Sequence, residues 1–362
     1  MRIVQIIDSL EAGGAERMAV NYANALSKKI EFSGLIASRK EGLLSNQIDQ
    51  KVTYLFLKKR RRIDFRAIFR LRKYLKSNKI DIIHAHSSSF FIAVLVKFTL
   101  PGIKIIWHDH YGISQDLTYR KNPVLKFASI FFKGIISVNS ALKDWAKSYL
   151  WCHNNVYFPN FIIEGSTLVD KQILNGSAGK RIVCVANLRP QKNHELLINA
   201  ANIVKDKFAD WTFHLLGKDF EDSYSEKLKK KVNDLGLDKN IFFYGTTNNI
   251  GLALQQCQIA VLPSSSEGLP LAILEYGLYK LPVIATDVGE VSKIISSYQE
   301  GLIIESGNLR ELITAIEKLI TDENYRNQIA LALHTKIQLN FSETIIIDEY
   351  LLWLESLSTF AI

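Results

Sequence analysis

Residues 264–276 read Ser-Ser-Ser-Glu-Gly-Leu-Pro-Leu-Ala-Ile-Leu-Glu-Tyr, which sets two carboxylates, Glu267 and Glu275, eight positions apart. The apolar run Ile259–Pro263 before them reads as a short buried strand. Gly268 and Pro270 mark a sharp turn with proline at a helix start. Glu267 is therefore expected in a loop and Glu275 two turns into the following helix. Positions eight apart on a helix differ by about 80° in azimuth and about 12 Å in rise, so the acids would reach different parts of one extended ligand. A nucleotide-sugar is such a ligand, with one acid on sugar hydroxyls and the other on ribose.

A second strand end supplies cations. The run Arg181–Ala186 ends in Asn187-Leu-Arg189-Pro-Gln-Lys192-Asn-His194, which places two positive side chains at a helix start. That arrangement suits a diphosphate leaving group. Near the amino terminus, a first strand runs into Gly13-Gly14-Ala-Glu16-Arg17 and then a helix. Paired glycines let backbone approach a ligand closely, and the amides of a new helix attract anions. Neither Gly-x-Gly-x-x-Gly nor a loop ending Gly-Lys-Ser/Thr occurs there, which disfavours a nicotinamide enzyme or a P-loop kinase.

Two further strand ends carry histidines: His84-Ala-His86 and His108-Asp109-His110-Tyr111-Gly112. Three readings stand at this point: a metal site, a hydrogen-bonded structural pair, or His110 directed at a sugar or acceptor hydroxyl. The period-two spacing is read as sending one member of each pair into the core or the adjacent layer.

The elements that must position these residues alternate strand and helix from end to end, which argues for parallel sheets covered by helices. Strands are expected at 2–7, 31–37, 52–56, 80–84, 104–108, 134–138 and 155–158. After a polar, glycine-rich break a second series follows at 181–186, 211–216, 241–244, 258–262, 281–285 and 301–304. The predicted organisation is a first Rossmann-like domain over 1–164, a linker over 165–180 and a second Rossmann-like domain over 181–340. A terminal amphipathic helix over 341–362 is expected to pack back on the first domain. The fold class is α/β, with two parallel sheets facing across a cleft and ligands beyond the carboxyl ends of the strands.

At 362 residues the chain is long enough for two cores. Met1 leads directly into an expected strand, so no secretory leader is expected. The apolar run Phe90–Val96, broken by Lys97, falls short of the roughly 20 residues a membrane-spanning helix needs. Cys152, Cys184 and Cys257 show neither paired nor metal-type spacing, consistent with a reducing cytoplasm. The net charge of +9 is uneven, because residues 1–164 hold 26 Lys and Arg against 12 Asp and Glu. Much of the excess lies in Lys58–Arg62 and the helix after it. Phe65, Ile68, Phe69, Leu71 and Leu75 are expected to form the core-facing side of that helix. Its basic face reads as solvated or as attracted to an anionic membrane surface. No nucleic-acid module accompanies the charge.

Taken in order, these stretches resemble the retaining glycosyltransferases of glycosyltransferase family 4, which have the GT-B fold. The resemblance rests on Gly13-Gly14-Ala-Glu16-Arg17, His110, Phe158-Pro-Asn160, Leu188-Arg189-Pro-Gln-Lys192-Asn, Leu215-Leu-Gly217, Phe243-Tyr-Gly245, Leu262-Pro-Ser264 through Glu267 and Glu275, and Pro282–Gly289. It implies a nucleotide-sugar donor, UDP- or GDP-linked, held mostly by the second domain, and a glycan or lipid-linked acceptor held mostly by the first.

By that analogy Glu275 binds the ribose, and Glu267 with the amides of Gly268 and Leu269 holds the donor sugar. Arg189 and Lys192 face the diphosphate, Gly14, next to Gly13, presents its amide near that diphosphate, and His110 contacts the transferred sugar. Ser266 and Gly217 are grouped with the substrate-binding residues. Catalysis is thus assigned to Glu267, Lys192, Arg189 and His110, with no metal and no cofactor beyond the co-substrate. One departure stands out: many members carry arginine at the position of Asn187, whereas this chain has it at 189. Two alternatives are weighed, a nucleotide-sugar epimerase of GT-B-like fold and a non-catalytic module at a membrane surface. The expected place of action is the cytoplasm, peripheral to the inner face of the cell membrane.

Overall fold

The computed structural model describes residues 1–111, 117, 119–163, 173–247 and 249–359. Gly112 and residues 165–172 of the expected linker lie outside the described residues. The chain forms two compact units. One comprises Met1–Ile163 together with Glu343–Ile362, and the other Glu164–Ser342.

The first unit contains a seven-stranded sheet with strands β1 (Arg2–Ser9), β2 (Phe32–Lys40), β3 (Thr53–Phe56), β4 (Ile82–His86), β5 (Lys104–Asp109), β6 (Gly134–Ser137) and β7 (Asn155–Tyr157). Their order is β3-β2-β1-β4-β5-β6-β7, and every neighbouring pair is parallel. Side chains alternate across this sheet as the two-residue period requires. Val4 and Ile6 of β1 join an apolar cluster with Leu71, Leu75, Ile83 and Trp107. Ile7 joins another cluster with Ala19, Val20, Ala23 and Leu35.

The second unit holds β8 (Arg181–Val185), β9 (Thr212–Leu216), β10 (Ile241–Gly245), β11 (Ile259–Leu262), β12 (Val283–Thr286) and β13 (Leu302–Ile304). The order is β10-β9-β8-β11-β12-β13, again all parallel. Strand order reverses direction between β1 and β4 in one sheet and between β8 and β11 in the other. In doubly wound sheets such switch points open a crevice at the carboxyl edge.

The last helix, Glu343–Thr359, belongs to the first unit. Tyr350 and Ile347 on it are fully buried. An added Cβ on Gly134 would lie 2.7 Å from the Trp353 ring, so this residue must stay small for the helix to dock.

The helix Phe65–Ser77 departs from its expected face. Ile68, Leu71 and Leu75 are buried, but Phe65 and Phe69 are 71% and 64% exposed. Phe65 and Phe69 lie beyond one edge of the buried arc, so the apolar stripe is wider than the core it covers. None of the helices among the described residues is long and apolar enough to cross a membrane.

Candidate active site

In the second unit, β11 is buried along its whole length, and Pro263, which has no N–H, ends its ladder. The chain then turns through Ser264–Gly268 to the helix Leu271–Leu278, with Pro270 at the cap position. Glu275 is the fifth residue of that helix, in its second turn, and Glu267 lies outside it. The helical offset expected between the two acids therefore does not apply.

Glu267 is 6% exposed. Its Oε1 accepts from Ser264 Oγ at 2.6 Å and lies 2.6 Å from Lys192 Nζ. Lys192 ends the short 3-10 turn Pro190–Lys192, after which Asn193 takes a left-handed conformation (φ 49°) and caps the helix His194–Val204. The two loops are joined through backbone as well, because Ser265 N donates to Gln191 O at 2.8 Å. Beneath them, Glu290 N donates to Gly268 O at 2.9 Å. Gly289, at φ 61°, sits so close that an added Cβ would fall 2.2 Å from Glu267 O. The Ser266 hydroxyl is buried with no hydrogen-bond partner in this structure. Leu269 is buried under the turn.

Gly217 closes the neighbouring strand end. Its added Cβ would lie 2.1 Å from Ala186 O, so only glycine lets the loop after β9 lie against the end of β8. Asn187 Oδ1 accepts from Lys218 N at 2.8 Å, which commits that side chain to the same junction. Arg189 is exposed and stacks its guanidinium 4.0 Å from the Phe220 ring. The structure thus brings Lys192 and Glu267 together and records Arg189 on an aromatic neighbour instead.

In the first unit, Gly13 is an extended N-cap (φ −165°) of the helix Gly14–Leu26, with no side-chain cap. Gly14 is exposed. The Glu16 carboxyl folds toward Gly13, where an added Cβ would meet its Oε2 at 2.2 Å. Burial pushes the Glu16 pKa up, and a bond to its own backbone amide works against that rise. An acid therefore already sits at the helix start that would receive an anion, bonded to one of its amides.

The histidines form a ladder. Because β4 runs to His86, His84 and His86 point to the same face, with rings stacked at 4.5 Å. This corrects the expectation that one of the pair turns away. His84 Nε2 lies 3.1 Å from His108 Nδ1, and His86 Nδ1 lies 2.9 Å from His110 Nε2. Gln5 Oε1 and the Tyr350 hydroxyl close the ends, at 2.9 Å from His86 Nε2 and 3.1 Å from His84 Nδ1. Burial holds His84, His86 and His108 well below the usual imidazole range and pushes His110 down to about 3. The rings are neutral donors and acceptors at physiological pH. Ring nitrogens of His84, His86 and His108 lie within 4.8 Å of one another, yet His84 and His86 already bond partners through both of theirs. The structural reading of the ladder accounts for that pattern, and His110, half-buried, is its member nearest the strand end.

Sequence reasoning missed several groups. Ser264, fully buried, orients Glu267. Asp109 is clamped by Arg120 through two bonds of 2.5 and 2.7 Å, with the Arg120 guanidinium 4.0 Å from the Trp145 ring and 4.2 Å from Tyr111. The eleven-residue separation of that pair gave no spacing signal.

Residues 12–162 match the family model described as Glycosyltransferase Family 4, and residues 168–332 match Glycosyl transferases group 1. With this fold and these strand-end groups, the chain belongs to the family-4 glycosyltransferases of GT-B fold. It is 25% identical over 355 residues to the Escherichia coli UDP-Gal:alpha-D-GlcNAc-diphosphoundecaprenol alpha-1,3-galactosyltransferase, covering 91% of this chain and 90% of that one. It is 24% identical over 310 residues to the Staphylococcus aureus capsular polysaccharide biosynthesis glycosyltransferase CapH, covering 83% and 85%. Among solved structures, Anabaena HepE in complex with UDP-glucose is similar at a TM-score of 0.77 and 17% identity, covering 99% of this chain and all of that one. The protein is a transferase enzyme.

Proposed function

We propose that the enzyme transfers a sugar from a UDP- or GDP-linked donor to a glycan on a lipid carrier, with retention at the anomeric carbon, in the building of a cell-surface polysaccharide. The observation that carries this reading is the Lys192–Glu267 pair at the switch point of the second sheet. Cleaving a glycosyl diphosphate builds negative charge on the leaving oxygen and positive charge on the ring. Lys192 and the loop amides oppose the first, and Glu267 holds the sugar's hydroxyls. Electrostatic groups of this kind are each worth about 100- to 1,000-fold in rate.

Glu275 takes the ribose, Arg189 turns from Phe220 toward the diphosphate, and Gly217, Ser266, Gly268 and Leu269 shape the donor pocket. On the first unit, the neutral His110 serves the transferred sugar, and Gly13 and Gly14 offer backbone to the substrate. Retention follows from attack on the same face, the departing phosphate taking the acceptor's proton. The reading calls for no bound metal and no cofactor. The named relatives, a galactosyltransferase acting on a diphosphoundecaprenol-linked sugar and a capsule glycosyltransferase, support transfer over epimerisation or mere binding.

Nucleotide-sugars are screened for thermal stabilisation, since a ligand at 100 times its Kd adds about 2.7 kcal/mol. The best donor is then incubated with a GlcNAc-diphospholipid, with and without EDTA. Transfer that survives EDTA and is lost in Lys192→Ala and Glu267→Ala supports the reading. Conversion of the donor to an epimer without acceptor, or near-normal transfer by both variants, overturns it.

A further inference from the structure

The carboxyl edge of the first sheet holds a charged hollow at its own switch point. Asp8, near the end of β1, receives Ser88 Oγ at 2.6 Å from the turn after β4, so this contact bridges the point where strand order reverses. Ser38 of β2 donates to the other carboxylate oxygen, and Arg39 Nε lies 3.7 Å from it. Asp8 is thereby committed to holding the floor. Three cations surround the hollow: Arg39, Lys59 and Arg62. Lys58 adopts a left-handed conformation (φ 48°), and Lys59 N then donates to Ser38 O at 2.8 Å. A positive φ at a non-glycine residue persists only where surrounding structure fixes it. Here the turn leaves Lys59 only 6% exposed.

Burying an ammonium is costly unless an anion meets it. The two carboxylates that act on Lys59 are both engaged, Asp8 by two hydroxyls and Asp64 by the amides of Arg60 and Ala67, and they face three cations. Phe91 supplies an apolar wall, its ring 6.0 Å from Lys59 Nζ and 5.2 Å from the Arg62 guanidinium. The hollow measures about 210 Å³, below the roughly 300–1,000 Å³ of pockets that hold whole drug-sized ligands. It suits a head group.

We propose that Arg39, Lys59 and Arg62 form a binding site for a phosphate or diphosphate group, carried by the acceptor's lipid or free in solution. The proposal deepens the transferase reading and rests on it for the acceptor's identity. Farnesyl diphosphate, inorganic pyrophosphate and farnesol are titrated calorimetrically into the full chain and into Lys59→Met and Arg62→Ala, with UDP titrated in parallel. Arg62 is exposed, so its truncation leaves the fold intact.

The expected result is binding of farnesyl diphosphate that weakens at least tenfold in each variant while UDP affinity holds. Pyrophosphate binding as tightly as farnesyl diphosphate assigns the site to a free anion, and weaker binding assigns it to the lipid carrier. Equal affinity of both variants and the wild type, farnesol binding as well as its diphosphate, or UDP affinity falling in step overturns the proposal. Failure of UDP to bind anywhere, with the farnesyl diphosphate result intact, would instead count against the transferase reading alone.

Discussion

Ser265 donates its backbone amide to the carbonyl of Gln191 at 2.8 Å, locking together two loops that are 74 residues apart in sequence. Lys192 and Glu267 follow those anchors by one and two residues, so their pairing at 2.6 Å is held by backbone as well as by charge. The preorganisation matters because catalytic dipoles act fully only when they need no rearrangement.

The first prediction concerns that pair. Lys192→Met and Glu267→Gln are each expected to lower turnover about 100- to 1,000-fold. Lys192→Met leaves a buried carboxylate without its cation, so it destabilises more than the double variant does. Since about a quarter of the Lys192 side chain is exposed, the loss falls short of the 3–5 kcal/mol or so typical of a fully buried pair. Urea unfolding of the four proteins in the cycle measures the coupling.

Gly289 offers a test by geometry alone. A Cβ there meets Glu267 O at 2.2 Å in a backbone conformation that only glycine adopts freely. Gly289→Ala is expected to cost more than about 1 kcal/mol and to lower kcat by displacing Glu267. A thermal melt together with donor kinetics checks both effects, and an unchanged kcat would contradict them.

Stability should fall in acid before the carboxylates titrate. Unfolded histidine has a pKa near 6.5, whereas burial holds His110 down to about 3 and His194 and His214 to about 4. Above pH 6.5 both states are neutral and nothing changes. Below it the unfolded chain takes up protons that the native chain refuses, so stability is lost as pH drops toward those native values. Each such histidine contributes about 1.4 kcal/mol per pH unit. Asp109 and Glu16, raised by burial, act in the opposite sense. Unfolding free energy measured between pH 7.5 and 5 is expected to decline steadily, and a flat profile would be inconsistent with a neutral ladder.

Membrane attachment is the fourth prediction. Ile63, Phe65 and Phe69 are exposed among arginines, and elsewhere on the same unit Phe98, Phe127, Ile130 and Trp151 are each at least half exposed. Lys126 lies 5.3 Å from the Trp151 ring. Cations with exposed aromatics suit a peripheral contact with anionic lipid. Liposomes containing anionic lipid should retain the protein at low salt and release much of it at high salt. Phe65→Ser with Phe69→Ser should weaken the retention that survives salt. Retention indifferent to lipid charge would exclude the electrostatic part.

All thirteen strands among the described residues were legible, most of them because a buried parallel strand must be a short apolar run bounded by breakers. Their ends were less so: β4 extends to His86 because His84 and His86 find polar partners inside the sheet, something no apolar pattern announces. The strand-end positions of Lys192 and Glu267, whose side chains the structure brings together, were legible. Ser264, Arg120 and Asp8 were not, since a hydroxyl three residues upstream or a salt bridge formed across a loop is specified only by the folded backbone. Phe65 and Phe69 were misread because periodicity shows which residues share a face, and not how wide the core beneath it is.

Tyr350 hydrogen-bonds His84 from the last helix, and Phe158 and Gly134 also pack against that helix. The amino-terminal unit is therefore finished by residues that the ribosome adds after the entire second unit. During synthesis its ladder stays uncapped on one side, so cotranslational folding cannot be completed in order of emergence. A nascent chain paused near residue 342 would leave uncovered what Tyr350 and Trp353 later cover.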